Sequence, residues 1–171
     1  GLEREVAMAP GYLDGSSGSR VDDASLVPRA GVWLPHAMKF RSLYVHFPFC
    51  EAKCHYCDFY SIGREKTRGR DPLLFENSLS REAKIWEPRL DDQLDSIFFG
   101  GGTPSMTPPE SMQRALESLG LKSRVLPTTE WTMEANPSSV DRRGLEAYRT
   151  LGVNRVSMGV QAMRDDLLAN L

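Results

Sequence analysis

Segments with the pattern of β-strands alternate with segments of helical pattern, and this alternation restricts the fold more than any other feature. Short runs rich in β-branched and aromatic residues are each followed by a stretch whose apolar residues have helical spacing. We predict strands at 42–47, 94–99, 130–134 and 154–160, and helices at 71–86, 107–120, 139–152 and from 164 onward. The pattern is typical of an α/β fold.

Start and stop signals mark the ends of the predicted helices. In the second helix, Thr107 and Glu110 have the spacing of a capping box, and Pro108 suits the first helical position. Gly120 and Gly152 follow the second and third helices, where a glycine can close a helix end. These residues set the predicted bounds of the two helices.

The predicted crossover helices imply that the strands run parallel, with right-handed connections. We therefore predict an alternating strand-helix parallel sheet, either an open sheet or part of a TIM-type barrel. Four strands are too few to close such a barrel, and the printed sequence stops inside a predicted helix. We expect residues 41–171 to be a truncated portion of a larger domain.

Residues 1–40 differ in composition from the rest of the chain. The stretch PGYLDGSSGSRVDDASLVPRAG is rich in Gly, Ser, Asp and Pro and has no sustained apolar period. Its pieces GSSGS and LVPRA resemble an expression linker and a protease site. We interpret 1–40 as a flexible leader or an expression-derived tail, with a natural disordered tail as the alternative, and leave it out of the fold prediction.

The composition is that of a soluble globular protein. Of the 171 residues, 40% are hydrophobic and 26% are charged, and the formal net charge is -2. This near-neutral balance gives no electrostatic reason to expect a nucleic-acid partner, and no apolar run approaches the length of a membrane span. The three clustered cysteines argue against a disulfide framework and predict a reducing, cytoplasmic location.

All cysteines of the chain, Cys50, Cys54 and Cys57, lie in one short loop after the first predicted strand. Three thiolates at this spacing can hold an iron–sulfur cluster and leave one of its four irons open for another ligand. A zinc site would need a fourth ligand, and a redox pair would need only two thiols. Candidates for the fourth zinc ligand are His46, His55 and Asp58. The odd count and the spacing favour the iron–sulfur cluster.

Further polar groups follow the other predicted strands. Gly101, Gly102 and Thr103 follow the second strand, Glu134 closes the third, and Gln161 follows the fourth. Each has a simpler interpretation when taken alone: a plain turn, a surface ion pair or a polar loop residue. Ligands of parallel α/β sheets bind where the carboxyl ends of the strands converge. We therefore expect these groups and the cysteine loop to form one site.

The segment CEAKCHYC resembles the signature of radical S-adenosylmethionine (SAM) proteins. The resemblance implies a 4Fe–4S cluster held by the three cysteines, with SAM bound at the open iron and cleaved to methionine and a 5′-deoxyadenosyl radical. The SAM contacts that it implies are Tyr44, the backbone of Tyr56, Gly101, Gly102, Thr103, Glu134 and Gln161. His46 is either a hydrogen-bonding residue near the cluster or an ordinary buried histidine, and Arg155 is expected in a structural ion pair.

Longer motifs are similar to one branch of these proteins, which holds the oxygen-independent coproporphyrinogen III oxidases and the related haem chaperones. The shared segments are YVHFPFC, GGGTPS, EANP and NRVSMGVQ. The oxidases have a further cysteine where this chain has Phe59, and they tend to have a different acidic pattern at EANP. Both departures favour the haem-chaperone subgroup, which binds haem and delivers it to target proteins. Oxidative decarboxylation of coproporphyrinogen III is the alternative.

The resemblance also implies partners and missing parts. SAM and haem or a porphyrin are the expected ligands, together with an electron donor and a haem recipient that the sequence does not identify. The family pattern continues beyond Leu171 with more barrel strands, further SAM contacts and a C-terminal domain. The chain is thus expected to be the N-terminal portion of a radical SAM partial barrel, inactive on its own. A zinc-binding structural module remains the third hypothesis.

Overall fold

The computed structural model describes residues 39–67 and 72–169, so most of the predicted leader, 1–38, lies outside the described residues. The strands in these ranges are β1 (Ser42–Phe47), β2 (Phe49–Cys50), β3 (Ile62–Gly63), β4 (Leu94–Gly101), β5 (Val125–Ala135) and β6 (Arg155–Met158). The helices are α1 (Arg64–Thr67), α2 (Pro72–Trp86), α3 (Pro109–Leu116), α4 (Leu121–Arg124), α5 (Arg142–Leu151) and α6 (Asp165–Leu168).

The main sheet has four strands in the order β1-β4-β5-β6, and every neighbouring pair runs parallel. Helices α1 to α5 lie between consecutive strands along the chain, as crossover connections require. Strands that follow one another in sequence are thus neighbours in space, which is the arrangement of a barrel wall as well as of an open sheet. The predicted alternating parallel sheet is confirmed.

The hydrophobic core lies on one face of this sheet, under helices α2, α3 and α5. Alternate residues of each strand point to this face, since successive side chains of a strand face opposite sides. Phe99 in β4 lies at its centre and contacts Phe47 and Trp131 edge-on, with ring centroids 5.2 and 5.3 Å apart. Met112 of α3 and Met133 of β5 complete this fully buried layer.

Polar side chains occupy the opposite face of the sheet. Ser42 and Ser96, which are in register on β1 and β4, form a hydrogen bond between their hydroxyls (2.9 Å). Arg155 of β6 donates to Thr132 on β5 (3.2 Å) and pairs with Glu130 (3.4 Å). The structural ion pair predicted for Arg155 is therefore confirmed.

The second predicted helix differs from the capping-box prediction, which is wrong. Helix α3 begins at Pro109, and Pro108 takes the N-cap position without a side-chain cap. Thr107 is buried one residue earlier, because its N–H donates to Pro104 O in a 3-10 turn and its carbonyl accepts from the Tyr148 hydroxyl (2.8 Å). These tertiary contacts hold Thr107 outside the helix.

Both predicted glycine stops are present. Gly120 has a left-handed backbone (φ 60°) after a 3-10 turn at Glu117–Leu119, and Gly152 follows α5 with φ 128°. The start of α5 lies at Arg142, three residues later than predicted, since Asp141 caps it by accepting from Gly144 N–H (2.7 Å). The prediction therefore missed the aspartate cap at this helix start.

Candidate functional site

An open cavity of about 1160 Å³ lies at the carboxyl edge of the main sheet. The ends of β4 and β5, the segment after β6 and the cysteine loop all contribute to its walls. The predicted site residues that line it are Cys50, Cys54, Tyr56, Cys57, Gly101, Gly102, Thr103, Glu134 and Gln161. The structure thus brings together all the predicted residues except Tyr44, which does not line this cavity.

The cysteine loop is closed at its base by β2 and β3. These two-residue strands pair in parallel, with Cys50 opposite Gly63, and Ile62 N–H donates to Pro48 O (2.7 Å). Strands of two residues have no readable period, so no sequence pattern predicts them beyond the run that ends in Cys50. Within the loop, Cys57 N–H donates to Cys54 O (3.1 Å), which folds the second and third cysteines into a turn.

The three thiols line the same cavity but do not converge on one point. Within 39–67 and 72–169, no group of three or more His, Cys, Asp or Glu side chains lies close enough to hold a single metal ion. A zinc ion needs four ligands around one centre, whereas each cysteine of a 4Fe–4S cluster binds a different iron. Three thiols that line one cavity without converging on a point fit the cluster, which needs each cysteine at a different iron.

His46 connects the sheet to the cysteine loop. Its Nε2 lies 2.8 Å from Tyr60 O, and its Nδ1 lies 3.1 Å from the Tyr44 hydroxyl. Because a carbonyl only accepts, Nε2 carries the proton and Nδ1 accepts from the tyrosine. His46 is half-buried and hydrogen-bonded on both ring nitrogens. It therefore connects β1 to the end of the cysteine loop, as the hydrogen-bonding interpretation of this residue expects, and it is not a fully buried core histidine.

Tyr44 lies behind the cavity on the polar face of the sheet. Its ring stacks on Phe98, with centroids 6.0 Å apart and an interplanar angle of 17°. Burial raises the pKa of its hydroxyl, and the negative charge of Glu134 raises it further. The hydroxyl thus stays protonated and supports His46, and its direct contact with SAM stays a prediction.

The glycine segment packs tightly against the start of the cysteine loop. A Cβ on Gly101, whose φ is 118°, would lie 2.7 Å from His46 Cε1 and 2.9 Å from Phe47 O. A Cβ on Gly102 would lie 2.7 Å from Phe49 O. Only glycine allows these approaches. Glycine is therefore required here by the close packing of β4 against the start of the cysteine loop, in addition to any ligand contact.

The backbone N–H groups of this segment have partners within the chain. Gly101 N–H donates to Glu134 Oε2 (3.2 Å), and Gly102 N–H donates to Phe47 O (2.7 Å). Thr103 N–H donates to Phe49 O (2.7 Å). These N–H groups therefore hold the segment in place, and the Thr103 hydroxyl, which donates toward Cys50 Sγ (3.7 Å), keeps its oxygen as an acceptor.

Glu134 and Gln161 face the cavity from the ends of neighbouring strands. Glu134 is half-buried, and its bond to Gly101 aims the carboxylate along the cavity wall. Gln161 has φ 65°, which within the described residues is the one positive φ of a non-glycine residue. A left-handed glutamine costs about 1 kcal/mol or more and is typical of functional sites. This strain supports a ligand role for Gln161.

A small hydroxyl cluster beside Glu134 was not predicted as part of the site. Ser105 and Ser139, which both line the cavity, have their Oγ atoms 2.5 Å apart, and Asn136 N–H donates to Ser105 Oγ (3.3 Å). Tyr148, whose pKa burial raises to about 12, holds this turn by donating to Ser105 O (3.0 Å). Ser105 ends the segment GGGTPS and Ser139 follows EANP closely, so these motifs could have predicted both serines as part of the site.

Comparison with known proteins identifies the family. The family model of the radical SAM superfamily matches residues 44–171, which contain the whole described cavity. The chain belongs to the radical SAM superfamily. Membership implies a 4Fe–4S cluster and SAM, and it favours the iron–sulfur interpretation of the cysteine loop over the zinc interpretation.

Individual relatives of this radical SAM chain carry two kinds of name. Radical S-adenosyl methionine domain-containing protein 1, mitochondrial, of Bos taurus is 38% identical over 126 residues, covering 72% of this chain and 28% of the relative. Heme chaperone HemW of Bacillus subtilis is 36% identical over 137 residues, covering 77% of this chain and 34% of the relative. The chain thus spans about a third of the length of the curated relatives it matches.

A solved structure shows the same fold. Coproporphyrinogen III oxidase (HemN) from Escherichia coli, described as a radical SAM enzyme, matches with a TM-score of 0.63 and 28% identity. The match covers 75% of this chain and 29% of that protein. The four-stranded sheet is therefore part of a radical SAM domain, as predicted. Among the helices within 39–67 and 72–169, none combines the length and the hydropathy of a membrane span.

Proposed function

We propose that this chain is the cluster- and SAM-binding portion of a haem-chaperone-type radical SAM protein. The observation that carries the proposal is the shared cavity, because Cys50, Cys54 and Cys57 open onto the same space as Glu134 and Gln161. Three thiolates, a carboxylate and an amide are the groups that a cluster and an amino-acid ligand need side by side.

Each group has a role in this proposal. The three cysteines hold the cluster, and the cluster, when bound, supplies the electron for reductive cleavage of SAM. The Glu134 carboxylate binds the SAM ammonium, which favours an anionic partner. Gln161 binds the ribose or the carboxylate through an amide that both donates and accepts. Tyr56 offers its backbone to the adenine, and its hydroxyl contacts Cys54, which raises the pKa of this tyrosine.

The cavity is open and large. Its volume of about 1160 Å³ exceeds the range of roughly 300–1,000 Å³ that pockets for single small molecules usually occupy. The hydroxyls of Ser105 and Ser139 add polar groups to the cavity wall. The apolar side chains of Phe49 and Phe75 line the other side.

The haem-chaperone assignment rests on Phe59 and on the relatives. Phe59 stands where the oxidases have a further cysteine, and its side chain is exposed. Several relatives at 34–36% identity are heme chaperones by name. Haem binding and delivery to a recipient protein are therefore the proposed activity. Oxidative decarboxylation of coproporphyrinogen III is the second candidate, favoured by the likeness to the HemN structure.

Anaerobic reconstitution with iron and sulfide tests the cluster assignment. We expect about four irons per chain, a broad visible absorption and, after reduction, an electron paramagnetic resonance (EPR) signal that SAM perturbs. Cys54→Ala should lose most of the cluster, whereas Ser123→Ala, at an exposed position of helix α4, should keep it. Full cluster content in Cys54→Ala, or zinc without iron after anaerobic purification, would contradict the proposal.

A second experiment separates the two porphyrin activities in the protein that contains this sequence. Haem titration followed by absorbance measures binding, and chromatography of coproporphyrinogen III incubated with SAM and a reductant measures turnover. We expect stoichiometric haem binding and unchanged coproporphyrinogen. Decarboxylated product without haem binding would establish the oxidase alternative.

A further inference from the structure

We propose that the Thr103 hydroxyl donates a hydrogen bond to the cluster-ligating sulfur of Cys50 and thereby raises the reduction potential of the cluster. This inference rests on the proposed function, since it takes Cys50 as a cluster ligand. It assigns the Thr103 side chain to the cluster, whereas the family resemblance assigns the residue to SAM. Thr103 then acts as a positioning residue for Cys50.

The geometry places the hydroxyl beside the sulfur. Thr103 Oγ1 lies 3.7 Å from Cys50 Sγ, within hydrogen-bonding distance of a sulfur acceptor. The Thr103 backbone is held in place independently, because its N–H donates to Phe49 O (2.7 Å), the residue before the cysteine. The hydroxyl therefore approaches Cys50 from a backbone that is already bonded to the same strand.

The preceding glycine makes this approach possible. A Cβ on Gly102 would lie 2.9 Å from Cys50 Sγ, closer than real Cβ atoms come to other heavy atoms. The segment 102–103 thus packs directly on the sulfur, and a side chain at position 102 would push it away. Gly102 and Thr103 together form a small pocket wall for this one thiol.

Cys50 differs from the other two cysteines in how its sulfur is held. It lies on β2, in register with Gly63 on β3, whereas Cys57, which is also half-buried, lies on the loop. Cys54 is exposed on the loop between these strands. A cluster can draw the loop cysteines toward itself, but the position of Cys50 is set by strand pairing. The bond from Thr103 can therefore persist when the cluster is bound.

A donor at a ligating sulfur changes the electronics of the cluster. Reduction adds negative charge, part of which resides on the thiolate sulfurs, and a hydrogen bond to negative charge is stronger than one to a neutral acceptor. The bond therefore stabilises the reduced cluster more than the oxidised one. Hydrogen bonds to the sulfurs are among the factors that set iron–sulfur potentials.

The test is an EPR-monitored redox titration of the reconstituted chain. Thr103→Val keeps the shape but removes the hydroxyl, and we expect a several-fold lower ratio of reduced to oxidised cluster at a fixed potential, where tenfold corresponds to about 59 mV. Thr103→Ser should restore the wild-type potential. Thr150→Val, the same change on the exposed face of α5, should leave it unchanged. Thr103→Ala replaces the valine variant if valine prevents cluster loading.

Two results would overturn the inference. An unchanged potential in Thr103→Val would show that the hydroxyl does not act on the sulfur. An unchanged potential together with a large loss of SAM affinity would show that the Thr103 side chain contacts SAM instead of the cluster. If the wild-type chain holds no cluster, the proposed function fails as well, whereas a loaded cluster with an unshifted potential defeats this inference alone.

Discussion

Glu134 Oε2 accepts a hydrogen bond from the backbone N–H of Gly101 (3.2 Å), which connects the ends of β5 and β4 at the cavity. The bond uses one carboxylate oxygen and leaves the other for a ligand. It also keeps the carboxylate near the glycine segment, whose N–H groups have partners within the chain. Glu134 therefore connects the ends of β4 and β5 and places a negative charge at the cavity.

Glu134→Gln separates these two functions. The amide oxygen can still accept from Gly101, so the thermal unfolding midpoint should change little. The lost charge should weaken SAM binding by about 1.5–3 kcal/mol, the range for hydrogen bonds to charged groups, or roughly ten- to a hundredfold in Kd. Isothermal titration calorimetry on the reconstituted chain measures this. Glu130→Gln on the same face of β5 is the control, and equal losses in both variants would contradict the assignment.

His46→Phe should loosen the cysteine loop without disturbing the sheet. The variant loses the bonds to Tyr60 O and the Tyr44 hydroxyl, at a cost of about 1–3 kcal/mol in the free energy of unfolding. Hydrogen exchange should become faster at the loop amides of Cys57 and Ile62 and stay unchanged in β4. His55→Phe, on the exposed part of the loop, should show neither effect. Unchanged exchange in the His46 variant would refute the anchoring role.

Gly101→Ala should destabilise the chain more than Gly120→Ala. Both glycines have a positive φ, so each substitution carries backbone strain of about 1–3 kcal/mol. The added Cβ at 101 also meets His46 at 2.7 Å, whereas the nearest atom to a Cβ at 120 is 3.8 Å away. Urea unfolding should therefore give the larger loss for Gly101→Ala, and cluster loading should fall only there. Equal losses would show that strain alone matters at position 101.

Glu82 should make stability depend on pH. Burial raises the pKa of its carboxyl to about 7 in the folded chain, only partly offset by the bond from Trp86 Nε1. The unfolded chain has the ordinary pKa of about 4.5, so the folded state binds more protons between these values. The free energy of unfolding should thus fall as the pH rises from about 4.5 to 7.

Glu82→Gln checks this pH dependence. The amide still accepts from Trp86 but cannot ionise, so the variant should gain stability relative to the wild type as the pH rises from about 4.5 to 7. Urea unfolding of the cluster-free chain at several pH values, under reducing conditions, gives the comparison. Parallel pH profiles for the two proteins would show that Glu82 is not the source.

The sheet and the cavity residues were predictable because they depend on local patterns. Strand β1 and helix α2 follow apolar periods that burial on one face requires. Parallel strands joined by crossovers then bring Glu134 and Gln161 to one edge. The glycine stops at 120 and 152 were predictable because glycine readily adopts the positive φ that both positions have. Each of these inferences needs only near neighbours in sequence and the rule of parallel crossovers.

Other features depended on contacts between distant residues. Threonine is a residue type that often caps helices, so the sequence predicts Thr107 as an N-cap. The Tyr148 hydroxyl, 41 residues away, donates to its carbonyl instead, and the helix starts at Pro109. The β2–β3 pair that closes the cysteine loop is too short for any period. His46 could not be placed from the sequence, because its partner Tyr60 is 14 residues away on a loop.

The sequence by itself determined the alternating parallel fold, the family and the thiol loop, since periodicity and motif spacing are written in adjacent residues. The tertiary structure decided which hydrogen bonds hold the site together. These are the bonds from Thr103 to Cys50, from Gly101 N–H to Glu134 and from His46 to Tyr60 O of the loop. The reason is physical. Hydrogen bonds and close approaches across 14 to 53 residues arise only when the sheet brings strand ends together.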